Sequence, residues 1–338
     1  VSLDDFEGAI NGLSLGGFNT NSWMLSSVPS EFPESQLTND VLTGVNRARI
    51  NWYQIERSGD ARKTPTDRSH PYTRIIEQTE LFNREVQIGQ NELFTFDVGY
   101  YPNERGPYNF DKPGGNIGYS SGVNFDPNQQ KFFLNNPASR WGGIMRYFQN
   151  SDFEAANYEF IDFWVLNPFM DRPDGIPHVN GETGEIIFQL GNISEDILKD
   201  GLQFFENGLP RPDDPRGDLN IVETNLARVP INIPIVNGFD GVNGKTQDLG
   251  LNGLNDDQER VKFADWIEAM NNFAGQPVQN IIEDPAGDNF RYFGDKTYPE
   301  NEPLLVRLKD FNNPQGNAPL DNANQGAGGQ VLRGNRFP

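Results

Sequence analysis

Turn-forming residues constrain this chain more than any other feature. Its 338 residues include 35 Gly, 24 Pro and 39 Asn. Gly and Asn accept positive φ and Pro fixes φ, so such a chain reverses often and sustains few long helices. An all-helical bundle is out. Disorder is out as well, because 25 Phe and 12% aromatic residues exceed what an unfolded acidic chain carries. A chain of this length buries a sizeable core and more often divides into two or three domains than stays as one. These features predict a folded, loop-rich, mainly β protein.

Charge narrows the partners. The formal net charge is −21, which repels phosphate backbones, and no stripe of Lys and Arg interleaved with aromatics offsets it, so nucleic acid is not an expected partner. Cysteine is absent, which removes thiolate chemistry, Fe–S clusters and disulfides. No apolar stretch approaches the roughly 20 residues of a membrane helix. The chain opens Val1-Ser2-Leu3-Asp4-Asp5-Phe6-Glu7, which reads as a mature fragment or a piece of something larger.

Alternation predicts strands over 49–55, 92–98, 141–148, 157–166 and 184–190. The segment 57–70 is polar and reads as a loop, and 72–86 is open between helix and extended chain. Residues 157–166 are apolar on both faces, as in the interior of a two-layer sandwich. Turn chemistry fills 106–109 and 112–116. After 190 the period changes. Asn192 with Glu195, and Asn255 with Gln258, are spaced as helix-capping pairs, and Val261, Ala264, Ile267 and Met270 share one helical face. The expected fold is a jelly-roll or sandwich domain over 1–190, a smaller region with about two helices over 191–309, and a flexible polar tail over 310–338.

Few residue patterns offer catalysis. His70 and His178 both read as surface-loop residues, and neither phosphate-binding glycine motif is present. Asp162, flanked by Phe160 and Trp164, is the best candidate for an acid with a raised pKa; the alternative is a buried polar group in a hydrogen-bond network. Calcium is a stronger expectation than catalysis. Candidate ligands are Asp4, Asp5 and Glu7, then Asp213, Asp214 and Asp218, then Asp240, Asn243 and Asp248, with Asp256, Asp257 and Glu259 further on. Solvated acidic loops are the alternative. Trp52 and Trp164 read as core, whereas Trp141, followed by two glycines, has room either to pack or to face a ligand.

Several blocks carry a resemblance: Glu104-Arg-Gly-Pro-Tyr-Asn109, Asn136-Pro to Trp141-Gly-Gly-Ile-Met-Arg146, Asp152 to Phe169, Gly191 to Gly201, Glu206 to Pro210, and Gln247 to Leu254. In this order, over roughly 100–260, they resemble the SprA (Sov) family, the giant outer-membrane translocons of type IX secretion. The resemblance implies a soluble, non-catalytic fragment of a much longer protein whose barrel spans the outer membrane. It implies a role in protein export and gliding motility, on the extracellular or periplasmic side. Partners would be the rest of the barrel, its accessory proteins and secreted clients. Some of the same segments resemble galactose-binding-like jelly rolls of carbohydrate-binding modules, so glycan binding is the alternative, with a carboxylate glycosidase third. Glu104, Arg105, Tyr108, Asn109, Trp141, Arg146, Asp162 and Trp164 are the candidate structural or interaction residues. Arg105 and Arg146 stand out as guanidinium forks for carboxylates.

Overall fold

A computed structural model describes residues 23–37, 41–55, 64–82, 91–148, 152–155, 158–170, 183–194, 196–199, 221–226, 228–230, 251–289, 291 and 298–310. Its strands are β1 (Trp23–Leu25), β2 (Ala48–Tyr53), β3 (Asp97–Arg105), β4 (Val123–Asp126), β5 (Lys131–Leu134), β6 (Ile144–Arg146), β7 (Ile221–Glu223) and β8 (Arg228–Pro230). They pair antiparallel as β1–β6, β2–β3, β4–β5 and β7–β8, in two-stranded sheets rather than a closed barrel. Helices are α1 (Pro65–Ser69), α2 (Gln78–Leu81), α3 (Asp256–Lys262), α4 (Ala264–Ala274), α5 (Gln279–Glu283) and α6 (Leu304–Asp310). Helix, at 23%, is at least as common as strand, at 18%, so the described part is mixed α and β rather than strand-dominated.

The central pair is β2–β3, with Ile50 opposite Tyr100 and Trp52 opposite Val98. Trp52 is fully buried. A register shift between Ala48 and Arg49 bends β3 away and leads it into the turn Gly106-Pro107-Tyr108. There a side chain on Gly106 would collide with the Ala48 carbonyl, which is why the residue is glycine, and Tyr108 sits at φ 57°. Strand β4 turns into β5 through Asp126, whose carboxylate accepts the Asn128 N–H at 2.8 Å and the Gln129 N–H at 3.3 Å.

Helix α3 starts where the sequence places it. The Asn255 side chain accepts the Gln258 N–H at 3.0 Å, and the Gln258 side chain accepts the Asn255 N–H at 3.0 Å. Helix α4 ends on Gly275 at φ 70°, a conformation that favours glycine. Two apolar clusters form the core. One gathers Leu25, Trp52, Phe110 and Met145 with Ile197, Leu254 and Phe263. The other packs Val123, Phe132 and Leu134 against Met270, Val278 and Ile281. Both clusters draw side chains from either side of the boundary expected at 190.

Several expectations change. The polar segment 64–69 is helical, because Thr64 and Asp67 close a reciprocal cap and Pro65 suits the first turn. Within 72–86, α2 supplies four helical residues. Strand β3 begins at Asp97 rather than near 92, and β6 keeps only Ile144–Arg146 of the run 141–148. Residues 191–194 and 196–199 show no helix; Ile197 and Leu198 are buried in the core instead. Val261 is exposed while Met270 is buried, because the helical run breaks at Phe263 and each helix presents its own face. The largest departure concerns 157–166 and 184–190. Their described residues are assigned to no strand and lie on the surface, not inside a sandwich. Of the expected tail over 310–338, Asp310 ends α6 and the rest lies outside the described residues.

Candidate functional site

The turn after β3 joins the two halves of the core. Asn109 donates to the Arg47 carbonyl at 2.6 Å and accepts the Asp111 N–H at 2.8 Å. The Tyr108 N–H donates to the Ala286 carbonyl at 2.7 Å, and the Tyr108 hydroxyl accepts the Leu251 N–H at 2.8 Å. Arg105 donates to the Asn109 carbonyl at 2.8 Å and the Pro285 carbonyl at 2.6 Å, and its guanidinium lies 4.6 Å from the Trp266 ring centroid. Glu104 is buried with three cations around it: Lys131 at 3.2 Å, Arg49 at 3.9 Å, and Lys309 in direct contact. Burial opposes the Glu104 charge, but these cations outweigh it and hold its carboxyl below the ordinary value.

A second polar centre is wholly enclosed. Arg140 pairs with Asp111 at 2.9 Å with both side chains fully buried. The same guanidinium donates to the carbonyls of Val45, Gly122 and Asn135. Asp111 also accepts from the Ser120 hydroxyl at 2.7 Å. Such satisfaction on both sides makes this pair structural.

The acidic centre sits where α3 and α5 face the Arg105 turn. Carboxylate oxygens of Asp256, Glu259 and Asp284 lie within 4.8 Å of one another. Asp256 and Glu259 come from the first turn of α3, one turn apart on one face, and Asp284 follows α5. Glu259 is buried and accepts from Asn252 at 2.6 Å and from the Ala286 N–H at 2.9 Å. Asp284 accepts the N–H groups of Gly287 at 2.8 Å and Asp288 at 3.2 Å. Asp256 accepts from the Asn289 amide at 3.2 Å. Burial, then the neighbouring Asp284 charge, pushes the Glu259 carboxyl up to about 8. Burial raises Asp284 and Asp256 as well, although the Arg105 cation works against this at Asp284. Three hard oxygen donors match a cation such as calcium by type but fall short of its usual six to eight ligands by number. What the geometry shows is three carboxylates close enough together to ligate one cation.

The third feature is apolar. Residues 158–170 and 183–194 form a surface ribbon without regular secondary structure, with Phe160 81% exposed, Trp164 71% and Ile187 66%. Phe163 and Phe188 hold its two segments together at a ring-centroid distance of 5.4 Å. The ribbon is anchored on one side by Tyr72, which donates to the Pro168 carbonyl at 2.8 Å, and by the Phe82 ring 6.3 Å from Trp164. On the other side Ser27 donates to the Ser194 carbonyl at 2.6 Å, Gln189 donates to Glu31 at 2.9 Å, and Ile197 and Leu198 enter the core.

The residues singled out from sequence divide accordingly. Glu104, Arg105, Tyr108 and Asn109 share one turn that ties strands to helices. Trp141 donates its indole N–H to Glu34 at 2.9 Å and stacks under Arg47 at 5.3 Å, so it packs rather than standing free. Arg105 makes its hydrogen bonds to carbonyls rather than forking onto a carboxylate, and Arg146 lies over Phe148 at 5.9 Å. Asp162 is exposed on the ribbon, without the apolar enclosure expected for it, and Trp164 is exposed rather than core. His70, read as a surface residue, is buried, with its Nδ1 accepting the Tyr72 N–H at 3.2 Å. His178 and the acidic groups Asp4, Asp5, Glu7, Asp213, Asp214, Asp218, Asp240, Asn243 and Asp248 lie outside the described residues. Sequence reasoning missed Asp284, which stands before the turn Pro285-Ala286-Gly287; an Asp that can cap such a turn was the available signal. Among the described residues, no helix is long and apolar enough to cross a membrane. No protein-family model matches the chain, and no curated protein matches it.

Proposed function

We propose that the chain is a non-catalytic structural and interaction module of an outer-membrane protein translocon of the SprA/Sov kind, supporting protein export and gliding motility. The observation that carries this reading is the anchored apolar ribbon. Isolated exposed apolar residues are ordinary, whereas a contiguous patch of this kind marks an interaction surface. The block Asp152 to Phe169, part of the resemblance to that family, contributes half of the ribbon. The block Glu104 to Asn109 supplies the turn that ties strands to helices. The galactose-binding-like jelly roll belongs to the same proposal, built on the antiparallel pairs within residues 23–146.

A pull-down from outer-membrane extract with the whole chain as bait tests the reading. Barrel or accessory components recovered by mass spectrometry are the expected result, and their loss in EDTA would place a divalent ion in the fold or the interface. Recovery of no outer-membrane protein, together with binding on a glycan array, would replace this function by carbohydrate recognition.

A further inference from the structure

Positive charge is scarce in this chain, with 27 Lys and Arg against 48 Asp and Glu, yet three cations from three elements converge on one carboxylate. Arg49 comes from β2, Lys131 from β5 and Lys309 from α6, and all reach Glu104 at the end of β3. One positive charge balances Glu104, so the cluster carries two in excess. Among the described residues, Glu104 is the only carboxylate paired with any of the three. Asp126, opposite Lys131 across β4 and β5, is committed to its own turn, where it accepts from Asn128 and Gln129.

The three cations are fixed without being covered. Arg49 donates to the Lys309 carbonyl at 3.1 Å, and the Lys309 ammonium lies 5.3 Å from the Tyr101 ring centroid. Arg49 and Lys131 approach one oxygen of Glu104 and Lys309 the other. Glu104 keeps only 5% of its side chain in solvent, against 25% for Arg49, 32% for Lys131 and 35% for Lys309. The anion is buried and its cations reach water. Each Lys has three N–H donors and Arg has five, more than Glu104 and one carbonyl take up.

Charge and size select the ligand. Two excess positive charges with spare N–H donors suit an oxyanion that carries two negative charges. A long acidic polypeptide or a nucleic acid would extend past the cluster onto the rest of a chain whose net charge is −21, beyond the screening length of about 8 Å at physiological ionic strength. A small anion stays within that distance of the three cations. We propose that Arg49, Lys131 and Lys309 form a binding site for a small dianionic oxyanion of the phosphate or phosphate-monoester class. None of these residues belongs to the apolar ribbon, so the site does not rest on the function proposed above.

Titration calorimetry of the whole chain with inorganic phosphate near pH 8, at constant ionic strength, tests the site. Phosphate should bind at least about tenfold more tightly than acetate, which carries one charge. Lys131→Gln and Lys309→Gln should each weaken phosphate binding about tenfold. Lys112→Gln removes the same charge from an exposed position in another loop and should leave binding unchanged. Glu104→Gln raises the excess to three and should tighten binding severalfold. Urea unfolding checks that each variant is folded, and the two Lys variants carry the test if Glu104→Gln is not. No measurable phosphate binding, equal binding of acetate, or an equal loss in Lys112→Gln would overturn the proposal. Tighter binding of a hexaglutamate peptide than of phosphate would overturn the small anion in favour of an acidic partner segment.

Discussion

Glu259→Gln should change how stability depends on pH more than it changes stability itself. The Glu259 carboxyl is pushed from its ordinary 4.5 up to about 8 by burial and by Asp284. Between those values the native state keeps a proton that the unfolded chain has released. Stability from this group is therefore complete below about 4.5 and is lost as pH rises through about 8. At about 1.4 kcal/mol per tenfold change, the full swing is about 5 kcal/mol. Glutamine does not titrate. It forfeits one of the two bonds that Glu259 accepts from Asn252 and Ala286, a loss of about 1 kcal/mol at every pH. Urea unfolding of parent and variant near pH 5 and near pH 9, in EDTA, gives the comparison. All other carboxylates are common to both proteins, so the parent should lose several kcal/mol more than the variant across that interval. Equal pH slopes would refute the reasoning. Millimolar calcium then tests the cluster as a cation site: a bound ion holds the parent stable at high pH, and no effect removes calcium as its ligand.

Arg140→Met leaves Asp111 buried without its counterion, and urea unfolding should register a loss of about 3–5 kcal/mol. Pairing it with Asp111→Leu should recover part of that loss, and a loss below about 1 kcal/mol in the single variant would show that the pair is not enclosed. Trp52→Ala should cost about 3–5 kcal/mol as a fully buried aromatic. Trp164→Ala should stay within about 0.5 kcal/mol because its ring is largely in solvent; similar losses for the two would contradict their placement.

Local chemistry was legible in the sequence and long-range packing was not. Asn255 and Gln258 announce α3 because their reciprocal bonds depend on four consecutive residues. The Gly-rich turns at 106–109 and 112–116 follow from φ preferences that a single residue imposes. Arg105 and Glu104 stood out as charges beside a turn, yet their partners, Pro285 and Lys309, are about 180 and 205 residues away in sequence. Asp256 and Glu259 could be named as acidic candidates, but Asp284 joins them only through the fold. Trp164 misled for a different reason. Alternation on both faces says that a strand needs covering on both sides, not that the covering comes from the same part of the chain.

Helix α6 is gripped at both ends. The Leu304 N–H donates to Asp67 in α1 at 2.8 Å. At the other end Asn51 donates to the carbonyls of Leu308 and Lys309, and Arg49 donates to that of Lys309, all from β2. Pulling on the chain at residue 310 would therefore not peel this helix away turn by turn. The load passes straight into β2, the strand that carries Trp52, and at the same time into the capped turn at Thr64. Those attachments share the force, so under tension helix α6 and the central strand should move as a single mechanical unit.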